Sequence, residues 1–546
     1  MSVAPQPDLS LLTLEVRSIL AEMAAIVAQK GWHLYLVGGV VRDLLYFSRN
    51  LASQNLGSQN LTSQNLISQN LTSQNLAGDI LLQSPNFTDI DLVIDSYHQT
   101  PRAGTGVEVA QALQELHPEA RLEVHGDFQT AAIVWDQDPI FGSLEIDMAT
   151  ARTESYAYPA ANPQVETSSI YQDLYRRDFT INTLALRLTP SLSPVLDFFG
   201  GWQDLLNKQV RVLHGDSFID DPTRIYRAVR FAVRLGFTLE PETEAQIYRS
   251  INSGIYDRIL RTYPKAPALQ NRLKNEIKYL LQAAYSQKAV KLLGNLGAWK
   301  CLHPELEFDP HLWRQVRLLD RLLKLVQHRK LHQQDQRNKQ QDQGNLLNQD
   351  NLLNQPNLLN QPNQFPKSLA TLPPDWLLRL ELIIAALPSS ERGWVAQNLQ
   401  LPNDSIRRLE TLAQAEKVLG AIEPKLSTEL FLDSSPVVAK LAVSKVVEIL
   451  RCYDTSLLLL MARRSSSVWR RYIWEYITIW SEVRSPLNGK ALQSLGYLPG
   501  KQYKIILEAL LAATLDGLVT DQPSAVDFLE TYFPRQNGLG ISLESS

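Results

Sequence analysis

The stretch from Thr88 to Ile94, Thr-Asp-Ile-Asp-Leu-Val-Ile, constrains the fold more than any other feature of the sequence. Side chains alternate between the two faces of a strand, so Asp89 and Asp91 share one face and the intervening apolar residues point to the other. Two carboxylates held side by side repel each other unless a cation lies between them. The stretch therefore indicates either a metal-binding strand or an exposed strand with acidic residues, and other motifs must decide.

A second strand with the same alternation follows at Ser143–Ala149, Ser-Leu-Glu-Ile-Asp-Met-Ala. Its apolar residues share one face, and Glu145 and Asp147 share the other. Asp147 can thus supply a third carboxylate beside the first pair. Three such groups would suit two-metal catalysis of nucleotidyl transfer, with magnesium as the ion that phosphate and all-oxygen ligands favour.

The stretch Leu36–Asp43, Leu-Val-Gly-Gly-Val-Val-Arg-Asp, reads as a strand, a double glycine and the start of a helix. Backbone N–H groups at a helix N-terminus suit phosphate, so Gly38 and Gly39 are candidate binding residues. Arg42 can donate a charge-assisted pair of hydrogen bonds to the same phosphates. The spacing is that of neither a dinucleotide-binding loop nor a Walker loop, and a double glycine alone is also typical of a plain tight turn.

A basic helix is predicted within Asp220–Arg234, with Asp221 as its N-cap and Pro222 in the first helical position. Four arginines fall within about a third of its circumference: Arg224, Arg227, Arg230 and Arg234. A basic face is often merely solvated. Here Arg224 can donate to a base edge, and Asp221 can accept from the exocyclic amine that cytosine and adenine carry and uracil lacks. The other arginines would hold a triphosphate.

The chain has 546 residues, which predicts about three domains. Its net charge of −4 does not indicate a nucleic-acid partner, so any such partner must meet local basic patches. Two cysteines are too few for a disulfide framework or a cysteine metal cluster. The N-terminus lacks a secretory pattern and the apolar runs are short, which together predict a cytoplasmic protein without a membrane.

Two repetitive segments interrupt the chain. Ser-Gln-Asn-Leu recurs every five residues from Ser53 to Ser73, and Asn-Leu-Leu-Asn-Gln recurs between residues 345 and 361. A five-residue period matches neither a helix nor a strand, and both segments are polar. We expect residues 48–87 and 331–366 to be disordered insertions in surface loops.

Taken together, the motifs resemble the class II CCA tRNA nucleotidyltransferase and bacterial poly(A) polymerase family. The matching stretches are LVGGVVRDLL, TDIDLVI, EIDMATARTE, DLYRRDFTINTLAL, DDPTRIYRAVRFAVRLGF and LNGKALQSLGYLPG. The resemblance implies an α+β fold: a polymerase-β-like head with a small mixed sheet, followed by helical neck, body and tail domains. We expect the head at residues 1–205, the neck at 206–310, and the body and tail at 311–546.

The resemblance also implies function. It assigns Asp89 and Asp91 to metal, Asp147 to the same catalytic cluster, and the remaining residues to the nucleotide: Gly38, Gly39, Arg42, Arg177, Asp221, Arg224, Arg227 and Arg230. It implies magnesium as cofactor and tRNA, CTP and ATP as partners, with no protein partner. Three activities remain open: addition of the full CCA, addition of CC only, and addition of A only. The alternatives are a poly(A) polymerase and, from another class, a non-catalytic RNA-binding protein on this scaffold.

Overall fold

A computed structural model describes residues 4–57, 87–99, 101–155, 164–262, 267–325, 372–428 and 441–534. The chain divides into two compact units. One is Met1–Phe308 with Asn398–Gln400, and the other is Asp309–Gln397 with Leu401–Ser546. The boundary predicted between head and neck, at residues 205 and 206, falls inside the first unit and stays a prediction.

The centre of the first unit is a six-stranded sheet in the order β3-β4-β5-β2-β1-β8. The strands of this unit are β1 (His33–Val37), β2 (Asp89–Asp95), β3 (Arg121–His125), β4 (Thr130–Asp138), β5 (Gly142–Thr150), β6 (Arg152–Ser155), β7 (Gln164–Thr167), β8 (Ala185–Arg187), β9 (Gln209–Val210) and β10 (Thr238–Leu239). Within the six-stranded sheet, β2 and β5 run parallel and all other neighbours run antiparallel. The predicted small mixed sheet is confirmed.

The described residues of the first unit also form α-helices. They are α1 (Leu14–Gln29), α2 (Gly39–Gly57), α3 (Thr105–Leu116), α4 (Ile170–Tyr175), α5 (Gly201–Asn207), α6 (Ser217–Asp220), α7 (Thr223–Leu235), α8 (Pro241–Asn252), α9 (Ile255–Thr262), α10 (Pro267–Gln282) and α11 (Ser286–Asn295). The Thr13 hydroxyl caps α1 by accepting the N–H of Val16 at 3.3 Å.

One helix is longer than the sequence predicts. We expected a disordered insertion to begin at residue 48, but α2 continues to Gly57. Residues 48–57 contain no proline or β-branched residue, so nothing local interrupts the helix. The rest of this insertion, residues 58–86, lies outside the described residues.

In the second unit the described residues form helices and no strands. They are α12 (310–325), α13 (Asp375–Ile384), α14 (Ser389–Asn398), α15 (Asn403–Thr428), α16 (Val443–Leu450), α17 (Thr455–Arg464), α18 (Ser467–Thr478), α19 (Gly489–Ser494), α20 (Lys501–Leu515) and α21 (Gln522–Tyr532). The predicted helical C-terminal region is confirmed, whereas the insertion predicted at 331–366 lies outside the described residues. Among the described helices, none combines the length and the apolar character needed to cross a membrane.

Candidate active site

The parallel pairing of β2 with β5 brings the predicted carboxylates together. Asp91 lies opposite Asp147, and Asp89 lies opposite Glu145. One carboxylate oxygen from each of Asp89, Asp91 and Asp147 lies within 4.8 Å of the other two. We call these three residues the acidic cluster. Apolar side chains such as Ile90 and Leu92 are buried on the other face, so the strand is fixed with its acids toward solvent.

The acidic cluster concentrates negative charge. Burial and the charges of Asp91, Glu145 and Asp89 raise the pKa of Asp147 to about 7. Burial and the Asp91 and Glu145 charges also raise the pKa of Asp89, against a smaller opposing effect of Arg234. Three oxygen donors with unfavourable mutual repulsion fit a hard divalent cation, which would relieve that repulsion.

Gly38 joins the turn after β1 to this cluster. Its φ of +71° lies in the left-handed region that favours glycine. A Cβ at this position would lie 2.9 Å from Nη1 of Arg177 and 3.1 Å from Oδ2 of Asp91. Since the Gly38 N–H donates to the Leu184 carbonyl at 3.2 Å, the amides that this turn offers a phosphate begin at Gly39. A side chain at Gly38 would therefore press on both Arg177 and Asp91.

The predicted base-reading pair makes contacts within the protein. Helix α7 begins at Thr223, not at Pro222, and Asp221 Oδ1 accepts the Thr223 N–H at 3.0 Å. The other oxygen of Asp221 lies 3.4 Å from Nη1 of Arg272. Arg224 is buried, and it donates to the Ser217 hydroxyl at 2.5 Å and to the Arg176 carbonyl at 3.0 Å. A nucleotide base that binds Asp221 and Arg224 must therefore either share these two side chains with their present partners in the protein or displace those partners.

The other predicted arginines belong to one network, which we call the guanidinium network. Its members alternate between guanidinium groups and oxygen acceptors: Arg42, Asn182, Asp178, Arg227, Glu276 and Arg230. Arg42 donates to Asn182 at 2.7 Å, and Asn182 donates to Asp178 at 2.9 Å. Arg227 binds Asp178 Oδ2 at 2.6 Å, and Glu276 lies 3.3 Å from Arg227 and 3.2 Å from Arg230. The network joins α2, α7 and α10.

Charge is well matched in the guanidinium network. Burial alone would raise the pKa of Asp178, but the Arg227 guanidinium and the Asn182 amide outweigh burial and lower it to about 2. Arg42 is 2% exposed and also holds its neighbour Asp43 through two contacts of 2.7 and 3.0 Å. Its predicted pair of hydrogen bonds is thus directed to a carboxylate of the protein.

Sequence reasoning missed three residues that hold this site together. Asp173 is fully buried on α4 and pairs with Arg176 at 2.7 Å and with Arg177 at 3.3 Å. The spacing of three and four residues was an available signal, because such pairs face each other on a helix. Glu276 is one of only two acidic residues between Ile255 and Lys300, and its position in this basic stretch was a second available signal. Ser217 gave no signal.

Comparison with known families and relatives supports the resemblance inferred from the sequence motifs. Residues 77–211 match the poly A polymerase head domain family. An A-adding tRNA nucleotidyltransferase of Geobacter sulfurreducens is 28% identical over 80% of this chain and 42% of its own length. A CC-adding tRNA nucleotidyltransferase of Deinococcus radiodurans is 36% identical over 40% of this chain and 51% of its own length. The chain thus spans about half or less of the length of each of these relatives.

Solved structures share the fold. A CCA-adding enzyme in an apo form has a TM-score of 0.63 at 22% identity, and the alignment covers 97% of this chain and 100% of that one. This similarity confirms the polymerase-β-like head with helical domains after it. The resemblance to the class II CCA tRNA nucleotidyltransferase and poly(A) polymerase family is confirmed by the head-domain match and by these relatives.

Proposed function

We propose that this protein is a nucleotidyltransferase that adds C, A or both to the 3′ end of tRNA from CTP and ATP, with release of pyrophosphate. The observation that carries the proposal is the acidic cluster on the paired strands β2 and β5, adjoining the Gly38 turn. The two relatives are named for the addition of A and of CC to tRNA, which favours the same substrate class for this protein.

In this reaction the terminal 3′-hydroxyl of the RNA attacks the α-phosphorus of the nucleotide, and the bond to pyrophosphate breaks. Asp89 and Asp91 would hold magnesium, with Asp147 beside them, and the bound ions would stabilise phosphate charge and lower the pKa of the hydroxyl. The start of α2 at Gly39 and the Arg177 guanidinium are positioned for the triphosphate. Their proximity to Asp91 supports binding the reacting phosphates at the acidic cluster.

Base selection falls to Asp221 and Arg224. The carboxylate accepts from an exocyclic amine and the guanidinium donates to base acceptors, which favours cytosine and adenine over uracil. Arg227, Arg230 and Arg42 lie in the guanidinium network, where Arg227 and Arg230 are paired with Asp178 and Glu276. Their proposed part is therefore to position α7 and α2 for the nucleotide. For the cell, we propose the cytoplasm, since both cysteines are free thiols, as is usual in a reducing compartment.

A poly(A) polymerase is the second candidate, because the matched head-domain family is described by that activity. Both candidates share the acidic cluster and differ in the RNA and in the length of the product. A non-catalytic RNA-binding protein is disfavoured, since it would have no need to keep three mutually repelling carboxylates.

The deciding experiment measures incorporation of each nucleotide into three RNAs. The RNAs are a tRNA transcript lacking the terminal CCA, one lacking only the terminal A, and an unrelated oligoribonucleotide. We expect addition of one to three nucleotides, restricted to the tRNA transcripts. A long run of A on any RNA without use of CTP would establish the polymerase instead. No incorporation into any RNA with magnesium or manganese would refute both catalytic candidates.

A further inference from the structure

The second unit contains a cavity of about 330 Å³ among three helices. Its walls come from α12, α17 and α18, and much of the lining is apolar, including Leu318, Leu459, Ile473 and Trp474. The volume lies at the lower end of the range of about 300–1,000 Å³ that small-molecule sites occupy. The cavity is separate from the acidic cluster, which belongs to the first unit.

Arginines supply all the charge in this lining. They are Arg321, Arg463, Arg470 and Arg471, and no acidic side chain lines the cavity. Arg471 has a partner, since its Nε lies 3.0 Å from Glu475. Among the residues that the structure describes, Arg470 donates to two backbone carbonyls, those of Ala462 and Ser465, each at 3.4 Å.

Arg463 is the distinctive member. It is 7% exposed, its Nε has no hydrogen-bond partner, and it forms no ion pair with any residue that the structure describes. Burial and the nearby Arg470 charge lower its pKa to about 10, so the side chain remains protonated at neutral pH. A buried charge without a counter-ion is strongly unfavourable.

Other buried arginines of the same unit are treated differently. Arg392 pairs with Glu416 at 3.0 Å, and Arg408 pairs with Glu381 at 2.7 Å through two contacts. These two guanidinium groups thus each have a carboxylate partner. Arg463 differs in facing a cavity that a ligand can fill.

We propose that this cavity binds a small organic anion, with one phosphate or carboxylate group bound by Arg463 and Arg470 and an apolar ring or chain against Trp474 and Leu459. Guanidinium groups hold such anions by charge-assisted hydrogen bonds, and the apolar wall favours a ligand with a hydrophobic body. The low exposure of Arg463 favours a small molecule over the phosphate backbone of a nucleic acid. This site is independent of the function proposed above.

The test uses the full chain and three probes, phenyl phosphate, inorganic phosphate and phenol, in isothermal titration calorimetry. We expect phenyl phosphate to bind most tightly, because it alone carries both the charge and the ring. Arg463→Met should weaken its binding by about tenfold or more, the usual effect of losing a charged hydrogen bond. Arg407→Met, which removes an exposed arginine outside the lining, should leave binding unchanged.

A second readout is thermal unfolding without ligand. Arg463→Met removes an unpaired buried charge, so it should melt at a higher temperature than the parent and should no longer be stabilised by phenyl phosphate. If that variant does not fold, Leu318→Trp fills the cavity from α12 and should abolish binding by steric exclusion. Equal binding of phenyl phosphate by parent and variants overturns the proposal. So does Arg463-dependent binding of an RNA hairpin without binding of phenyl phosphate.

Discussion

The acidic cluster and the guanidinium network lie in the same unit but balance charge in opposite ways. In the cluster, three carboxylates lie within 4.8 Å of one another, and none forms an ion pair with a described residue. In the network, Asp178 contacts Arg227 at 2.6 Å and Glu276 lies close to two guanidinium groups. The pKa values follow: that of Asp147 is raised to about 7, and that of Asp178 is lowered to about 2.

From this difference in charge balance we propose that the acidic cluster is a binding site and that the guanidinium network supports it structurally. Like charges without partners reduce stability, and a bound cation would offset the repulsion within the acidic cluster. Opposite charges that pair across elements, as Asp178 with Arg227 and Glu276 with Arg230, fix the relative positions of the elements that carry them. The acidic cluster should therefore respond to substitution mainly in activity and the guanidinium network mainly in stability. Each prediction below tests that division.

The largest effect is expected for Asp91→Asn. Loss of this carboxylate should lower nucleotide incorporation by about a thousandfold, the scale seen when a group that stabilises transition-state charge is removed. Without divalent cations, the same variant should melt at a higher temperature than the parent, because a repelling charge is gone. Initial rates and thermal melts in a chelator measure the two effects.

The matched control is Glu145→Gln, which neutralises the exposed residue opposite Asp89 on the same face. It should keep most of the activity. If Asp91→Asn retains full incorporation, the acidic cluster is not the site of chemistry.

Asp178→Asn should lower the free energy of unfolding by about 2 kcal/mol, since it removes the buried carboxylate that pairs with the half-buried Arg227 and accepts from Asn182. Urea titration of the full chain measures this change. The control is Asp257→Asn, which breaks the Arg261 ion pair at a more exposed position and should cost less than about 1 kcal/mol. Similar losses for both variants would remove the argument that the guanidinium network supports the fold.

The stability contribution of Asp178 should also depend on pH. Because its folded-state pKa, about 2, lies below its ordinary value of 3.8, the unfolded chain takes up the proton first as the pH falls. The contribution is complete above the unfolded pKa and is lost between about pH 4 and pH 2, a change of about 2 kcal/mol. The stability difference between parent and Asp178→Asn should therefore shrink over this interval. A constant difference would contradict the lowered pKa.

Local patterns predicted the acidic cluster well but the guanidinium network poorly. Strand alternation put Asp89 and Asp91 on one face, and the strand predicted before the double glycine is β1, His33–Val37, in the structure. The same reasoning assigned Arg227 to a triphosphate, whereas its partners are Asp178 and Glu276, each 49 residues away in sequence. Periodicity within a helix shows which residues share a face, but not which distant acid packs against it. That information depends on tertiary packing.

Gly38→Ala distinguishes the effect of backbone strain from the effect of close approach. An alanine at a φ of +71° costs about 1–2 kcal/mol, and its Cβ would also press on Arg177 and Asp91. The control is Gly236→Ala, where φ is +68° and no atom lies within 4 Å of an added Cβ. Both variants should lose stability in urea titration, Gly38→Ala by the larger amount, but only Gly38→Ala should lose incorporation. Equal incorporation by the two variants would show that the Gly38 turn does not contribute to catalysis at the acidic cluster.

The smallest effect should be one of selectivity. Asp221→Ala removes the acceptor for an exocyclic amine, so discrimination of CTP and ATP against UTP should fall by about tenfold, the value of one good base contact. Single-nucleotide incorporation with each triphosphate measures the ratio. Asp220→Asn, at the adjacent position, serves as control and should leave the ratio unchanged. Because Asp221 also binds the Thr223 amide and lies beside Arg272, Asp221→Ala should reduce stability as well. A loss of stability with unchanged selectivity would assign Asp221 to the support of α7, and base reading would then lie elsewhere.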